Sequence, residues 1–216
     1  VTSIKQTIHG NCHGLKASEL HQLERLYRRR MGRGEWISPE AARQLTEVSH
    51  RLGRQVGMLI ARDGKVTHVI LGDQRQITIP QLEKYRAGPQ RLKGLRLVHT
   101  HLRGEPLSKD DLADLALLRL DLVAALTLTA EGLPGEASIA HLQPTGADDL
   151  PYVVLPMVSF HRVDLDFDAF VEELEGLLRA AFDAVAVGRQ EGAVLVGIFP
   201  PATDGEDAME ELAALC

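Results

Sequence analysis

LRLVHTHLRGEPLSKDDLADLALLRL, residues Leu95–Leu120, is the stretch from which the fold and the chemistry both follow. Leu95, Leu97 and Val98 give Leu95–His99 the apolar character of a buried strand. Side chains alternate along a strand, so His99 and His101 project to one face with Thr100 between them on the other. Gly104 and Pro106 then break the strand, and Ser108 opens a helix carrying Leu112, Leu115, Ala116 and Leu118. Asp111 falls in the first turn of that helix, facing back toward the strand end. Two imidazoles and a carboxylate are a donor set that suits zinc. The same residues also have a local reading. Ser108 with Asp111 approaches a capping box, Asp110 and Asp111 suit the positive end of the helix dipole, and the histidines can be hydrogen-bonded strand-end residues.

Working outward, the upstream half opens with a possible strand at Ile4–Ile8 and a turn at Gly10–Gly14. Lys16–Arg30 follows as an amphipathic helix with Leu20, Leu23, Leu26 and Tyr27 on one face. Arg28, Arg29 and Arg30 form its last turn, with Arg33 just beyond. Ser38-Pro39 supplies an N-cap and first helical residue for Pro39–Leu52, which Gly53 terminates. Asp63-Gly64 between Gln55–Ala61 and Val66–Leu71 predicts a hairpin. Gln76–Ile79 is expected as a third strand, and Leu82–Tyr85 as a short helical or irregular piece. Downstream lie strands at Leu122–Thr129 and Ala137–Leu142, a polar linker at Pro144–Pro151, and extended segments at Tyr152–Pro156 and Val158–Val163. A long helix runs from Leu165 to about Val187, and a strand at Gly192–Phe199 leads to a helix at Asp207–Leu215.

This pattern predicts an α/β fold, a mixed-sheet sandwich with flanking helices over residues 1–163. A linking helix (164–188) joins it to a first β-α unit (189–216) that cannot bury both faces and so reads as the start of a truncated second domain.

The 44% hydrophobic and 25% charged residues describe an ordinary globular chain, whose 4% aromatic content leaves the core to Leu, Val, Ala and Ile. No apolar run reaches the ~20 residues of a membrane span, and the polar N-terminal stretch is not a secretory signal. Cys12 and Cys216 lie at opposite ends, which argues against a disulfide framework and for the cytoplasm. The net charge of −6 conceals an asymmetry: 19 basic against 8 acidic residues over 1–104, and 5 against 22 over 105–216. Arginine-rich basic surface suits phosphate contacts, and the alternative is opposed halves that neutralise each other on folding. Arg28, Arg29, Arg30 and Arg33 are the candidate RNA contacts.

His99, His101, Ser108 and Asp111 resemble the motif of JAMM (MPN-type) zinc metalloproteases, a His-x-His followed by a Ser and, three residues on, an Asp. The resemblance implies zinc held by His99, His101 and Asp111, with Ser108 as oxyanion partner and cleavage of a peptide or isopeptide bond. The sequence departs from that pattern in a His101-to-Ser108 gap one residue short and in Leu102 where proline is common. Arg54 stands at the place of the family's catalytic Glu, leaving Glu105 and Glu47 as substitute bases. Gly14-Leu15-Lys16 with the arginine-rich helix, Gln55–Ile60, and above all LRLVHTHLRGEPLS resemble an N-terminal extension of bacterial HflX-type GTPases. This second resemblance covers most of residues 10–163. It implies a noncatalytic accessory region working in cis with a GTPase domain on the large ribosomal subunit or its RNA. GTP and magnesium would belong to that absent domain, because no G-x-x-x-x-G-K-[ST] phosphate cradle occurs in this sequence.

Overall fold

The computed structural model describes residues 8–82, 91–144 and 150–188. The chain divides into two compact units, residues 1–182 and 183–216. The expectations for residues 4–7, 83–85, the linker core at 145–149 and everything beyond Gly188 lie outside the described residues. The first unit is α/β, with a mixed sheet in the order β1-β3-β2-β4-β5-β6-β7 and β8 paired to β6. The strands are β1 (Ile8–Gly10), β2 (Val56–Ala61), β3 (Val66–Leu71), β4 (Leu95–His101), β5 (Leu122–Leu128), β6 (Pro134–Leu142), β7 (Tyr152–Val154) and β8 (Val158–Ser159). The helices are α1 (Ala17–Tyr27), α2 (Pro39–Leu52), α3 (Lys109–Leu118) and α4 (Phe167–Gly188). Among the described strands only β1/β3 and β4/β5 are parallel. Parallel neighbours need a crossover, and α3 supplies the one from β4 to β5.

Alternation along the strands separates two cores. Met58, Val98, Ala124 and Ile139 meet Leu23, Leu26, Leu45 and Val48 of α1 and α2 on one face. Leu59, Leu97, Val123 and Ala140 meet Leu115 of α3 and Leu174 of α4 on the other. Arg62 fastens α4 through Asp121 and Glu175, at 2.7 and 2.8 Å. The Asp63-Gly64 hairpin forms as expected. Gly64 adopts φ 83°, where a Cβ would run into the Met31 carbonyl, and its own carbonyl accepts from Met31 N–H at 2.8 Å. No helix among the described residues is long and apolar enough to cross a membrane.

Three local expectations are corrected. The first helix ends at Tyr27 rather than Arg30, because Arg30 leaves it to form a bridge with Lys65 beside the hairpin. Gln76–Ile79 is not a strand. The Asp73 carboxylate takes the N–H groups of Arg75 and Gln76 at 2.6 and 2.9 Å, turning the chain back over Gly72. The histidine strand runs to His101, not His99, so both histidines lie within paired sheet.

Candidate metal centre

Extension of β4 through His101 places both imidazoles on the α3 face of the sheet, and Thr100 on the α2 face. There the Thr100 hydroxyl meets Ser49 Oγ at 2.6 Å and accepts from Val56 N–H at 3.0 Å, pinning α2 and β2 to β4. The capping box forms as the sequence suggests. Ser108 Oγ accepts from Asp111 N–H at 3.2 Å, while Ser108 N–H and O–H both donate to Asp111 Oδ2 at 2.7 Å. The cap and the ligand set are therefore one structure, since the bonds that start α3 also orient the Asp111 carboxylate toward the sheet.

His99, His101 and Asp111 converge, all three buried. The two Nε2 atoms lie 2.9 Å apart, Asp111 Oδ1 lies 3.2 Å from His99 Nε2, and Asp111 Oδ2 lies 3.4 Å from His101 Nε2. Zinc bonded at about 2.0–2.1 Å to a tetrahedral set holds neighbouring donors roughly 3.3 Å apart, so the spacing already matches. His101 Nδ1 donates to the Glu105 carbonyl at 3.0 Å. That bond puts the neutral ring's proton on Nδ1 and leaves a lone pair on Nε2, the outer-shell arrangement of a metal-bound histidine. His99 Nδ1 is buried without a hydrogen-bond partner among the described residues. Among those residues this is the one group of three or more His, Cys, Asp or Glu able to hold a metal.

The protonation behaviour follows from the same contacts. Burial pushes the His99 imidazole below its ordinary value, against the pull of Asp111. Burial also opposes charge on His101, but Asp111 and the Glu105 carbonyl outweigh it and raise that group. For Asp111 burial favours the neutral acid, yet bonds from His101, His99 and Ser108 hold the carboxyl well below the usual range. A metal requires deprotonated donors: the shifts of Asp111 and His99 favour that form, and the raised His101 holds a proton the metal would displace.

The residues proposed as bases are engaged in other contacts. The Glu105 carboxylate accepts from Arg103 N–H at 2.9 Å. Glu47 pairs with Arg43 at 2.7 Å on α2, whose buried face packs against the opposite side of the sheet. Arg54 donates to the carbonyls of Gly72 and Asn11 at 2.7 and 2.8 Å. Ser108, the candidate oxyanion partner, gives its hydroxyl to Asp111. Two polar or small residues on the site's face are not singled out by sequence. Gly57 pairs with His99 across β2/β4, and Gln55 precedes it by two residues, 1% exposed.

The arginines are less concentrated than their sequence spacing implies. Arg29 donates to Gln44 at 2.7 Å, Arg30 lies 3.6 Å from Asp63, and Arg33, 97% exposed, lies 3.7 Å from Asp168. Arg25, Arg29, Arg43 and Arg51 instead line a cleft of about 300 Å³ between α1 and α2, with Glu40 and Glu47 among them. Compared with protein families, curated proteins and solved structures, the chain finds no match.

Proposed function

We propose that this chain is a zinc-binding domain of JAMM-like design without hydrolytic activity, and that it serves as the accessory region of an HflX-type, ribosome-associated GTPase. The single observation carrying the metal assignment is the convergence of His99, His101 and Asp111 at donor separations of 2.9–3.4 Å. Bound there, zinc would supply a Lewis-acidic cross-link between β4 and α3. His101 is held in the ligating tautomer by the Glu105 carbonyl, and the Asp111 carboxylate is oriented by Ser108.

The absence of a directed base favours a non-hydrolytic role. Among the described residues, the Glu105 carboxylate accepts from Arg103 N–H and Glu47 pairs with Arg43, and a metal centre without a well-placed general base hydrolyses poorly. The ribosomal assignment rests on the sequence resemblance and on the arginines of the α1–α2 region.

Elemental analysis of the purified chain tests the metal. About one zinc per chain is expected, lost in a His99→Ala/His101→Ala variant. Equal metal content in both proteins would sink the assignment, and isopeptide or peptide cleavage by the zinc-loaded chain would restore the JAMM protease alternative. Sedimentation with large ribosomal subunits tests the partner. Binding should weaken with salt and with Arg28→Glu/Arg29→Glu together.

A further inference from the structure

Gln55 lies on the histidine face for a reason of register. β2 and β4 are antiparallel with Gly57 opposite His99; continuing that register two residues back from Gly57, just before β2 begins at Val56, sets Gln55 toward His101 on the same face. Its backbone is fixed in that extended course by Gln55 N–H to the Asp73 carbonyl at 2.7 Å and Gly72 N–H to the Gln55 carbonyl at 2.9 Å. The side chain is 1% exposed, and its amide Nε2 has no hydrogen-bond partner among the described residues. A buried amide donor without an acceptor is costly and uncommon, so it points to a group that arrives with the ligand.

We propose that Gln55 donates a hydrogen bond to an oxygen of a small carboxylate occupying the fourth position of the metal held by His99, His101 and Asp111. The inference rests on the zinc assignment above. Three protein donors leave a tetrahedral ion one position for an exogenous ligand. Two neutral imidazoles and one carboxylate leave the dication with a net positive charge, which favours an anionic oxygen ligand at the remaining position. The amide carries no ionisable proton, so it holds an oxygen ligand without acting as a base. The ligand must also be small. His99 is fully buried and His101 and Asp111 nearly so, and Gly57 admits little beside His99, since a Cβ there would lie 3.2 Å from His99 Cβ.

The test uses the full chain loaded with cobalt(II), whose visible absorption reports its ligands, titrated with formate. Wild type should change spectrum on formate binding. Gln55→Leu should weaken formate by at least about tenfold, the loss expected for one hydrogen bond to a charged group. Gln55→Met repeats the measurement with an unbranched side chain in case leucine does not fold. Metal affinity should change by less than about threefold in both, against the roughly 10–100-fold loss typical when a ligand-supporting residue is removed. Gln55→Glu should bind cobalt more tightly and lose the formate response, because its carboxylate takes the anion's place. Wild-type chain that takes up cobalt without responding to formate overturns the inference, as do Leu and Met variants that bind formate like wild type. A parallel loss of metal in those variants overturns it too, making Gln55 a ligand or structural support. Wild type that takes up no cobalt fails before formate is added, and that result rejects the zinc assignment itself.

Discussion

Strand β4 buries two polar assemblies, one toward each end and on opposite faces, and they are satisfied in opposite ways. Arg96, 1% exposed, donates to the carbonyls of Trp36 at 2.7 Å, Glu35 at 2.9 Å and Ala61 at 3.1 Å. Phe167 covers its guanidinium at 4.0 Å. Burial lowers it to about 10, still charged at neutral pH. Every feature of that assembly is supplied by the chain. Toward the other end, His99 Nδ1 and Gln55 Nε2 are buried with no acceptor or donor opposite them among the described residues, and three ligating groups crowd around one point. A saturated polar cluster stabilises a fold, whereas one with unmatched groups marks a place for something else.

Breaking the saturated end should produce the largest effect. Arg96→Met removes the guanidinium from the Trp36, Glu35 and Ala61 carbonyls, of which Ala61 keeps the Gly64 N–H at 2.9 Å, an expected loss on the order of 3 kcal/mol. Calorimetry should show a fall of roughly 10 °C in Tm for a domain of this size. Chelator should not change that difference, because the lost bonds owe nothing to metal. A near-neutral Arg96→Met would mean that the carbonyls find other partners, and the contrast between the two ends would fail.

The unmatched end should respond to metal instead. Zinc at a hundredfold excess over its Kd should stabilise wild type by about 2.7 kcal/mol. His99→Ala/His101→Ala should show the same urea midpoint with zinc and with chelator. Unfolding in urea with and without zinc would measure both. A wild-type protein indifferent to zinc would make the histidines a purely structural cluster, like Arg96.

The two ends also differ in how far the sequence reveals them. His-x-His on a strand and Ser-x-x-Asp at a helix start are local patterns, and local geometry alone brings their donors to one face, so the ligand set is legible. Arg96 stands in plain view within LRLVHTH, but its acceptors come from residues 35, 36 and 61, and no short-range pattern announces them. In sequence Gln55 is only the start of a hairpin strand, since its importance depends on the β2/β4 register. Arg28, Arg29, Arg30 and Arg33 suggest one basic surface, yet the chain beyond Tyr27 sends Arg29, Arg30 and Arg33 to different partners. The mixed sheet can be expected from the alternation of elements. The parallel placement of β1 beside β3 cannot, because nothing between them signals it.

A smaller test concerns Gly57 and Ile77, which wall the metal end beside His99. Gly57 lets β2 approach His99, and a Cβ there would also lie 3.2 Å from Ile77 Cδ1. Gly57→Ala should cost about 1 kcal/mol through overpacking, partly offset by alanine's lower chain entropy. It should also weaken zinc binding, because the added methyl displaces His99. An alanine variant with unchanged stability and zinc affinity would show that Ile77 yields and the wall is soft.

The smallest effect should come from the turn that places that wall. Asp73 accepts from Arg75 and Gln76 N–H, and its carbonyl receives Gln55 N–H, so one residue positions both Ile77 and Gln55. Those two backbone bonds, foremost among the influences on it, hold the Asp73 carboxyl below its ordinary value. A carboxyl depressed on folding stabilises the native state above its unfolded pKa of about 3.9, and that contribution disappears as pH falls through the lower folded value. Asp73→Asn keeps an acceptor oxygen but cannot titrate. Its urea midpoint should lie below wild type near neutrality, converge with it below about pH 4, and so fall less steeply with acid. Parallel acid limbs would show that the turn is held by packing of Ile77 rather than by the Asp73 charge. The metal end of β4 would then depend on apolar contacts for its shape, much as the Arg96 end depends on Phe167.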